Sequence, residues 1–296
     1  MGITLSTHTD FLRSLADAHS VELSAYCLGP PMEHELDAAA ARGAAVRVEL
    51  EAVPYGGDAA KRAAINARTV ERLRAHGVDA ALVADNGDAH VKAAVLDGVA
   101  WLDDRNFPSK GPDLVVRDDD PADVAAVRDA MQGRPAATAR LAFTKVAALD
   151  LEGDAIDRCA GEVDVASETF SNSAVSAALR RHLAKGDRVR LVVGADGLGR
   201  SKTQAGAVAA LARLGAQVRV AGALDKLAVG DGNAWLGSAN ATYPSDETAR
   251  MSEWGLVTQT ADGVKTVRAA FEREWESGRP FVAPSGARDP VAAKYA

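Results

Sequence analysis

The chain has 296 residues, 47% hydrophobic and 25% charged, with a formal net charge of -7 at pH 7. That composition excludes a disordered chain and argues against broad, non-specific binding to nucleic acid, which depends on neutralising many phosphates. No apolar run approaches the roughly 18 residues of a bilayer span, the N-terminus shows no secretory leader, and Cys27 and Cys159 have no disulfide or metal-site spacing; the expectation is a cytoplasmic protein with reduced thiols.

In chain order, the pattern predicts a short helix over 10–19, a strand over 21–28 and a helix over 32–42 closed by Gly43. A second strand follows at 46–53, a long helix at 58–76 closed by Gly77, and a strand at 80–83. Residues 89–96 read as a strand that places His90, Lys92 and Ala94 on one face. Asp97-Gly98 is a hairpin signal, 99–102 returns antiparallel, and Asp103-Asp104-Arg105-Asn106 reads as a polar loop. A strand over 114–117 leads to the solvated run Asp118-Asp119-Asp120 and to Pro121, which opens a helix to Met131.

Gln132-Gly133-Arg134-Pro135 marks the expected division into halves, 1–132 and 133–296. Residues 137–159 read as mostly helical with a break near Gly153, and then the first-half order restarts. A strand over 163–166, a helix over 173–185 ending at Gly186 and a strand over 189–193 match earlier elements. Trp254-Gly-Leu-Val-Thr and the helix over 262–275 match the strand at Asp113-Leu-Val-Val-Arg and its helix. Two copies of one strand-and-helix order predict an α/β protein whose mixed sheets are flanked by helices, with related loops meeting at a seam.

The repeat is sharpest at DGVAWLDDRN (97–106) and DGNAWLGSAN (231–240), identical at six of ten positions. Lys92 and Lys226 each stand five residues before the aspartate. His90 stands two residues before Lys92; its counterpart is Leu224. Trp101 and Trp235, at matched places on return strands, read as core. Two ammonium groups and two carboxamides can surround a compact anion such as phosphate, and an imidazole beside them can attack phosphorus or shuttle a proton. No His, Asp or Glu in the motif has metal-ligand spacing, so the lysines would offset the phosphate charge.

This pattern resembles the phospholipase D superfamily, the HKD phosphodiesterases. His90-Val-Lys92, Asp97 and Asn106 match its first motif, with Asp103-Asp104 where Gly-Ser is common. Lys226, Asp231, Gly237-Ser238 and Asn240 match the second, which lacks its histidine. The resemblance implies a nucleophilic His90 that forms a phosphohistidine. It assigns phosphate binding to Lys92, Lys226, Asn106 and Asn240, and leaves Asp97 and Asp231 to orient neighbouring groups. The residue that replaces the second histidine as acid is open. A missing acid is the leading single reading; among residues that could take the role Glu168 comes first, ahead of Asp225 and of His182, which reads as a surface residue on a helix.

The implied function is a metal-independent phosphodiesterase or phosphatidyltransferase-like enzyme, with no cofactor and with a small-molecule or lipid phosphodiester as its partner. Two alternatives stand beside it. One is a catalytically inactive protein that binds a phosphate-containing ligand, to which Leu224 points. The other is a nuclease-like protein that processes nucleic acid, which the acidic balance disfavours. No transmembrane association is expected, and either a monomer or a homodimer fits.

Overall fold

The computed structural model describes residues 3–54, 58–83, 90–107, 114–222, 225–245, 248–249 and 251–282. The chain forms two compact units, one of residues 1–145 with 246–254 and the other of 146–245 with 255–296. The expected boundary at 132 therefore falls inside the first unit.

The first unit opens with β1 (Thr4–Thr7), α1 (His8–Asp17), β2 (Ser20–Ala25), α2 (Pro30–Ala41), β3 (Ala45–Glu51), α3 (Ala59–Ala75) and β4 (Asp79–Val83). It continues with β5 (Ala93–Leu96), β6 (Val99–Asp103), β7 (Leu114–Asp118), α4 (Pro121–Met131) and the two-residue β8 (Leu141–Ala142). Its seven-stranded sheet runs β1-β7-β6-β5-β2-β3-β4. Strands β2, β3 and β4 are parallel, while β5 pairs antiparallel with both β2 and β6. The turn between β5 and β6 is Asp97-Gly98, with φ values of 46° and 82°, as a tight hairpin of this sequence requires. Phe11 of α1 packs edge-on against Trp101, 5.6 Å between ring centres, and stacks on Phe107 at 4.8 Å. Burying each such ring contributes roughly 1.5–3 kcal/mol.

The second unit is built from α5 (Lys145–Asp157, whose first residue still belongs to the first unit), β9 (Glu162–Ser167), α6 (Ala174–Lys185), β10 (Arg188–Gly194), α7 (Ala195–Arg200), α8 (Lys202–Arg213) and β11 (Gln217–Ala221). Then come β12 (Lys226–Gly230), β13 (Ala234–Gly237), β14 (Gly255–Thr258), α9 (Ala261–Ser277) and β15 (Arg279–Pro280). Its strands lie in the order β15-β11-β10-β9-β12-β13-β14. The stretch β11-β10-β9-β12-β13-β14 repeats β4-β3-β2-β5-β6-β7 strand for strand, with the same parallel and antiparallel pairings. The expected mixed sheets with flanking helices are what the two units contain.

Several expectations need correction. Strand β5 begins at Ala93, so His90 and Lys92 precede it rather than share its face. Lys92 has φ 50°, and a left-handed residue breaks the period-two argument. Gly153 lies inside an unbroken α5, and 137–144 is not helical. Asp103 closes β6 and is fully buried, not part of a polar loop. Asp118 is also fully buried, next to Asp123 and the Arg140 guanidinium. Burial pushes its carboxyl up to about 6. Only Asp120 performs the expected capping, accepting from the amides of Ala122 and Asp123.

Glu152 sits in the core of the second unit, 1% exposed, on the face of α5 shared with Ala148, Leu149 and Ile156. Its Oε2 has no hydrogen-bond partner among the described residues, and burial pushes its carboxyl well above the ordinary range. A carboxyl whose pKa rises on folding binds its proton more tightly in the native state, so stability falls as pH climbs past the unfolded value of about 4.3. Glu152→Met should therefore raise the thermal midpoint by a few degrees at pH 7, roughly 1–3 kcal/mol, with the gain shrinking towards pH 4. A midpoint lowered at both pH values would contradict the assignment.

Candidate active site

Asp103, at the end of β6, ties together the segments that carry the site in the first unit. Its amide donates to the carbonyl of Lys92 at 3.1 Å. Its carboxylate accepts from the amide of Phe107 at 2.7 Å and meets Nε2 of His8 at 3.1 Å. Its carbonyl accepts from the indole of Trp254 at 2.8 Å. Lys92 and Phe107 both hold positive φ, 50° and 49°, a conformation that costs of order 1–3 kcal/mol in a non-glycine residue and persists only when the surroundings over-determine it. Asp103 supplies that constraint on both sides and fixes the chain next to Glu253.

Three charged or titratable side chains converge there. Nδ1 of His90 lies 2.7 Å from Nζ of Lys92 and 3.1 Å from Oε1 of Glu253. Nζ of Lys92 also donates to the His90 carbonyl at 2.8 Å and stands 3.5 Å from Oε2 of Glu253. Lys92 and Glu253 are buried, and His90 keeps 18% of its side chain exposed. A neutral ring carries one proton. With Nδ1–H donating to Glu253, Nε2 presents a lone pair; with Lys92 donating to Nδ1, the proton moves to Nε2. Burial holds the imidazole below its usual pKa, the Lys92 ammonium pushes the same way, the Glu253 carboxylate opposes them and Lys145 adds a smaller depression. Burial and Lys92 together thus favour the neutral form of His90, the form in which an imidazole has a free lone pair.

Tyr26, just beyond β2, sets its ring edge-on to His90 with centres 4.8 Å apart. The Tyr26 amide donates to Oδ1 of Asn106 at 3.0 Å, and the Cys27 amide reaches the same oxygen at 3.4 Å. With its oxygen held by backbone donors, the half-buried Asn106 can turn only its NH2 group to a ligand.

The second unit repeats this device. Oδ1 of Asn240 accepts from the amide of Thr169, just beyond β9, at 3.0 Å. Nζ of the buried Lys226 lies 3.8 Å from Oε2 of Glu168, whose side chain is half exposed. The backbone around Glu168 is tight, because a Cβ at Gly194 would come 2.3 Å from its carbonyl oxygen. Leu224 lies outside the described residues. Asp225 precedes β12, is buried, and has its amide donating to Oε1 of Glu274 at 2.6 Å. His182 is fully buried, not at the surface, with Nδ1 2.7 Å from Asp187 and Nε2 2.9 Å from the Ile156 carbonyl. Both ring nitrogens are committed to the fold. Asp97 caps the start of β2 through the amides of His19 and Ser20, and Asp231 is exposed at the turn after β12.

The structure thus gathers His90, Lys92 and Asn106 in one unit, and Lys226, Asn240 and Glu168 in the other. Trp101 and Trp235 are buried core residues. Sequence reasoning did not single out Glu253, Tyr26 or Lys145. Lys145 is buried, its amide donates to the Met251 carbonyl at 3.1 Å, and burial lowers its pKa against the pull of Glu253. Among the described residues no group of three or more His, Cys, Asp or Glu side chains is arranged to hold a metal ion, and no helix is long and apolar enough to cross a membrane.

Repeated mixed sheets with a lysine and a backbone-anchored asparagine at matched places define a phospholipase D-like fold. Residues 153–275, most of the second half of the chain, match the family model described as "Cardiolipin synthase, PLD-like domain". The chain is also similar to the crystal structure of polyphosphate kinase from Porphyromonas gingivalis, with a TM-score of 0.66 and 15% identity over 99% of this chain. It spans about half of that protein, 52%. The phosphatidylserine synthase of Haemophilus influenzae Rd KW20 is similar too, with a TM-score of 0.65 and 10% identity over 94% of this chain and 87% of that one. At such identities the likeness is one of fold. No curated protein matches the chain.

Glu253 can be tested directly. In Glu253→Gln the carboxylate that raises the His90 pKa is gone, so in a nitrogen-detected NMR titration His90 should lose its proton at lower pH than in the wild type. An unchanged or higher midpoint would remove Glu253 from the site.

Proposed function

We propose that the protein is a metal-independent phosphodiesterase or phosphatidyltransferase-like enzyme that attacks its substrate through His90. The observation that carries this reading is the buried Glu253 carboxylate on the Nδ1 edge of a neutral His90, with Lys92 against both. Lys92 and Glu253 both face Nδ1; in the state where Nδ1–H donates to Glu253 the lone pair is on Nε2, and the carboxylate stabilises the ring as it becomes positive.

Nε2 attacks phosphorus, an N–P bond forms, and the P–O bond to the leaving group breaks. The leaving oxygen takes a proton. Water or an alcohol then attacks the phosphohistidine, and the N–P electron pair returns to Nε2. Lys92 and Asn106 hold the phosphoryl oxygens, and Lys226 and Asn240 are proposed as the second set of donors in the same reaction. Glu168 is proposed as the proton relay in place of the second histidine. Ammonium and amide donors aimed at developing charge are worth several kcal/mol when water is excluded. General acid help adds about 10²–10⁴-fold, so substrates with good leaving groups should react fastest.

The alternative, an anion-binding protein without turnover, is favoured by Leu224 alone. Turnover of bis(4-nitrophenyl) phosphate separates the two. Under the enzymatic reading His90→Asn lowers kcat by on the order of 10³-fold or more, and Lys226→Ala by about 10²–10³-fold. Because the reactive form is the neutral ring, kcat/KM should rise with pH through a midpoint below the ordinary imidazole value of about 6.5 and be flat above it. Equal rates in wild type and His90→Asn would support the binding protein.

A further inference from the structure

The wall of the site beyond Tyr26 holds a cation that the reaction does not use. Arg62 lies in the first turn of α3, its amide donating to the Asp58 carbonyl at 3.0 Å. Its guanidinium carbon is 5.8 Å from the centre of the Tyr26 ring, whose edge meets His90 with ring centres 4.8 Å apart. Those two steps bound the separation of guanidinium and imidazole, so both lie within the span of one small ligand. Arg62 is exposed. Among the described residues no carboxylate lies within ion-pair distance of it, whereas Arg72 on the same helix is paired with Glu33. The half-buried thiol of Cys27 is within hydrogen-bonding reach of Arg62, and burial pushes that thiol above its usual pKa and so keeps it neutral. Tyr26 is the ring that both the cation and the imidazole face.

We infer that Arg62 reads a second phosphate on the substrate, so that the site selects a phosphodiester bearing a phosphate monoester one short linker from the reacting phosphorus. The inference rests on His90 as the reacting residue for the word substrate, but not for the binding. An arginine with no carboxylate partner among the described residues, beside an aromatic ring, offers the paired N–H fork that matches phosphate oxygens. A monoester with its second pKa near 6 is close to a dianion at neutral pH, and it gains more from that fork than the singly charged diester does. The linker must pass the Tyr26 ring, which suits a three-carbon polyol better than a directly bridged pyrophosphate. The same chemistry occurs in soluble glycerol phosphates and in lipid headgroups.

The test uses the 4-nitrophenyl phosphodiester of glycerol with and without a phosphate on its far hydroxyl. The doubly phosphorylated ester should have a KM lower by about ten- to a hundred-fold, the range of one or two charge-assisted hydrogen bonds. In Arg62→Ala the ratio of the two KM values should collapse towards one, and in Arg62→Lys it should fall between. Calorimetric titration of His90→Asn with both esters reads the same preference without turnover. If neither ester turns over in the wild type but the calorimetric preference persists and depends on Arg62, the catalytic reading fails and the subsite stands. Equal affinity for the two esters, or a preference that survives Arg62→Ala, would overturn the subsite. Vesicles of phosphatidylglycerol phosphate against phosphatidylglycerol complete the comparison. Arg62-dependent binding to the former places the second phosphate on a lipid, and a preference confined to the soluble esters places it on a soluble metabolite.

Discussion

A carboxylate taken out of water must be paired, and Glu253 shows how the first unit meets that demand. Its two oxygens face Nδ1 of His90 and Nζ of Lys92. Leaving the Glu253 or Lys92 charge alone in the interior would cost about 3–5 kcal/mol, so each holds the other in place. The pairing also decides the chemistry of the imidazole, because the group that binds Nδ1 determines which nitrogen can attack. Glu253 reaches this position because residues 246–254 pack with the first unit although the chain on either side belongs to the second.

The scaffold under that cluster is equally economical. Asp103 replaces a small residue at the end of β6, where the second unit has Gly237 at the end of β13. The larger side chain holds Phe107 and meets His8, and the backbone of the same residue binds Lys92 and Trp254. Two residues with unfavourable backbone angles are thereby kept on either side of it. The asparagines follow a simpler rule shared by both units, an oxygen fixed by an amide beyond the first parallel strand. Their NH2 groups are thus oriented before any ligand arrives, which removes part of the reorganisation that charge development would otherwise require.

Much of this was legible in the sequence because repetition is a strong signal. The Asp97-Gly98 turn, the Asp120-Pro121 helix start and the matched tryptophans all follow from local rules, and the structure has them. The placement of His90 and Lys92 on a strand did not hold, since side-chain alternation cannot show that a lysine takes a left-handed backbone held by a distant aspartate. Glu253 escaped notice for a related reason. The repeat aligns it with Pro112, just as it aligns His90 with Leu224, so comparing the halves found no partner for either. These two positions, at which the copies disagree, touch each other in the first unit, histidine to glutamate. Buried Asp118 and His182 look like surface residues in the linear pattern because nothing local announces Arg140 or the Ile156 carbonyl.

The central claim is that Nε2 of His90 forms a bond to phosphorus. Rapid mixing with an activated phosphodiester, quenching in base within the first turnover and peptide mass spectrometry test it most directly. The account predicts a phosphoryl adduct on His90 that is stable in base, lost in acid, and strongly reduced in Glu253→Gln. Release of the leaving group with His90 unmodified throughout the first turnover would contradict it.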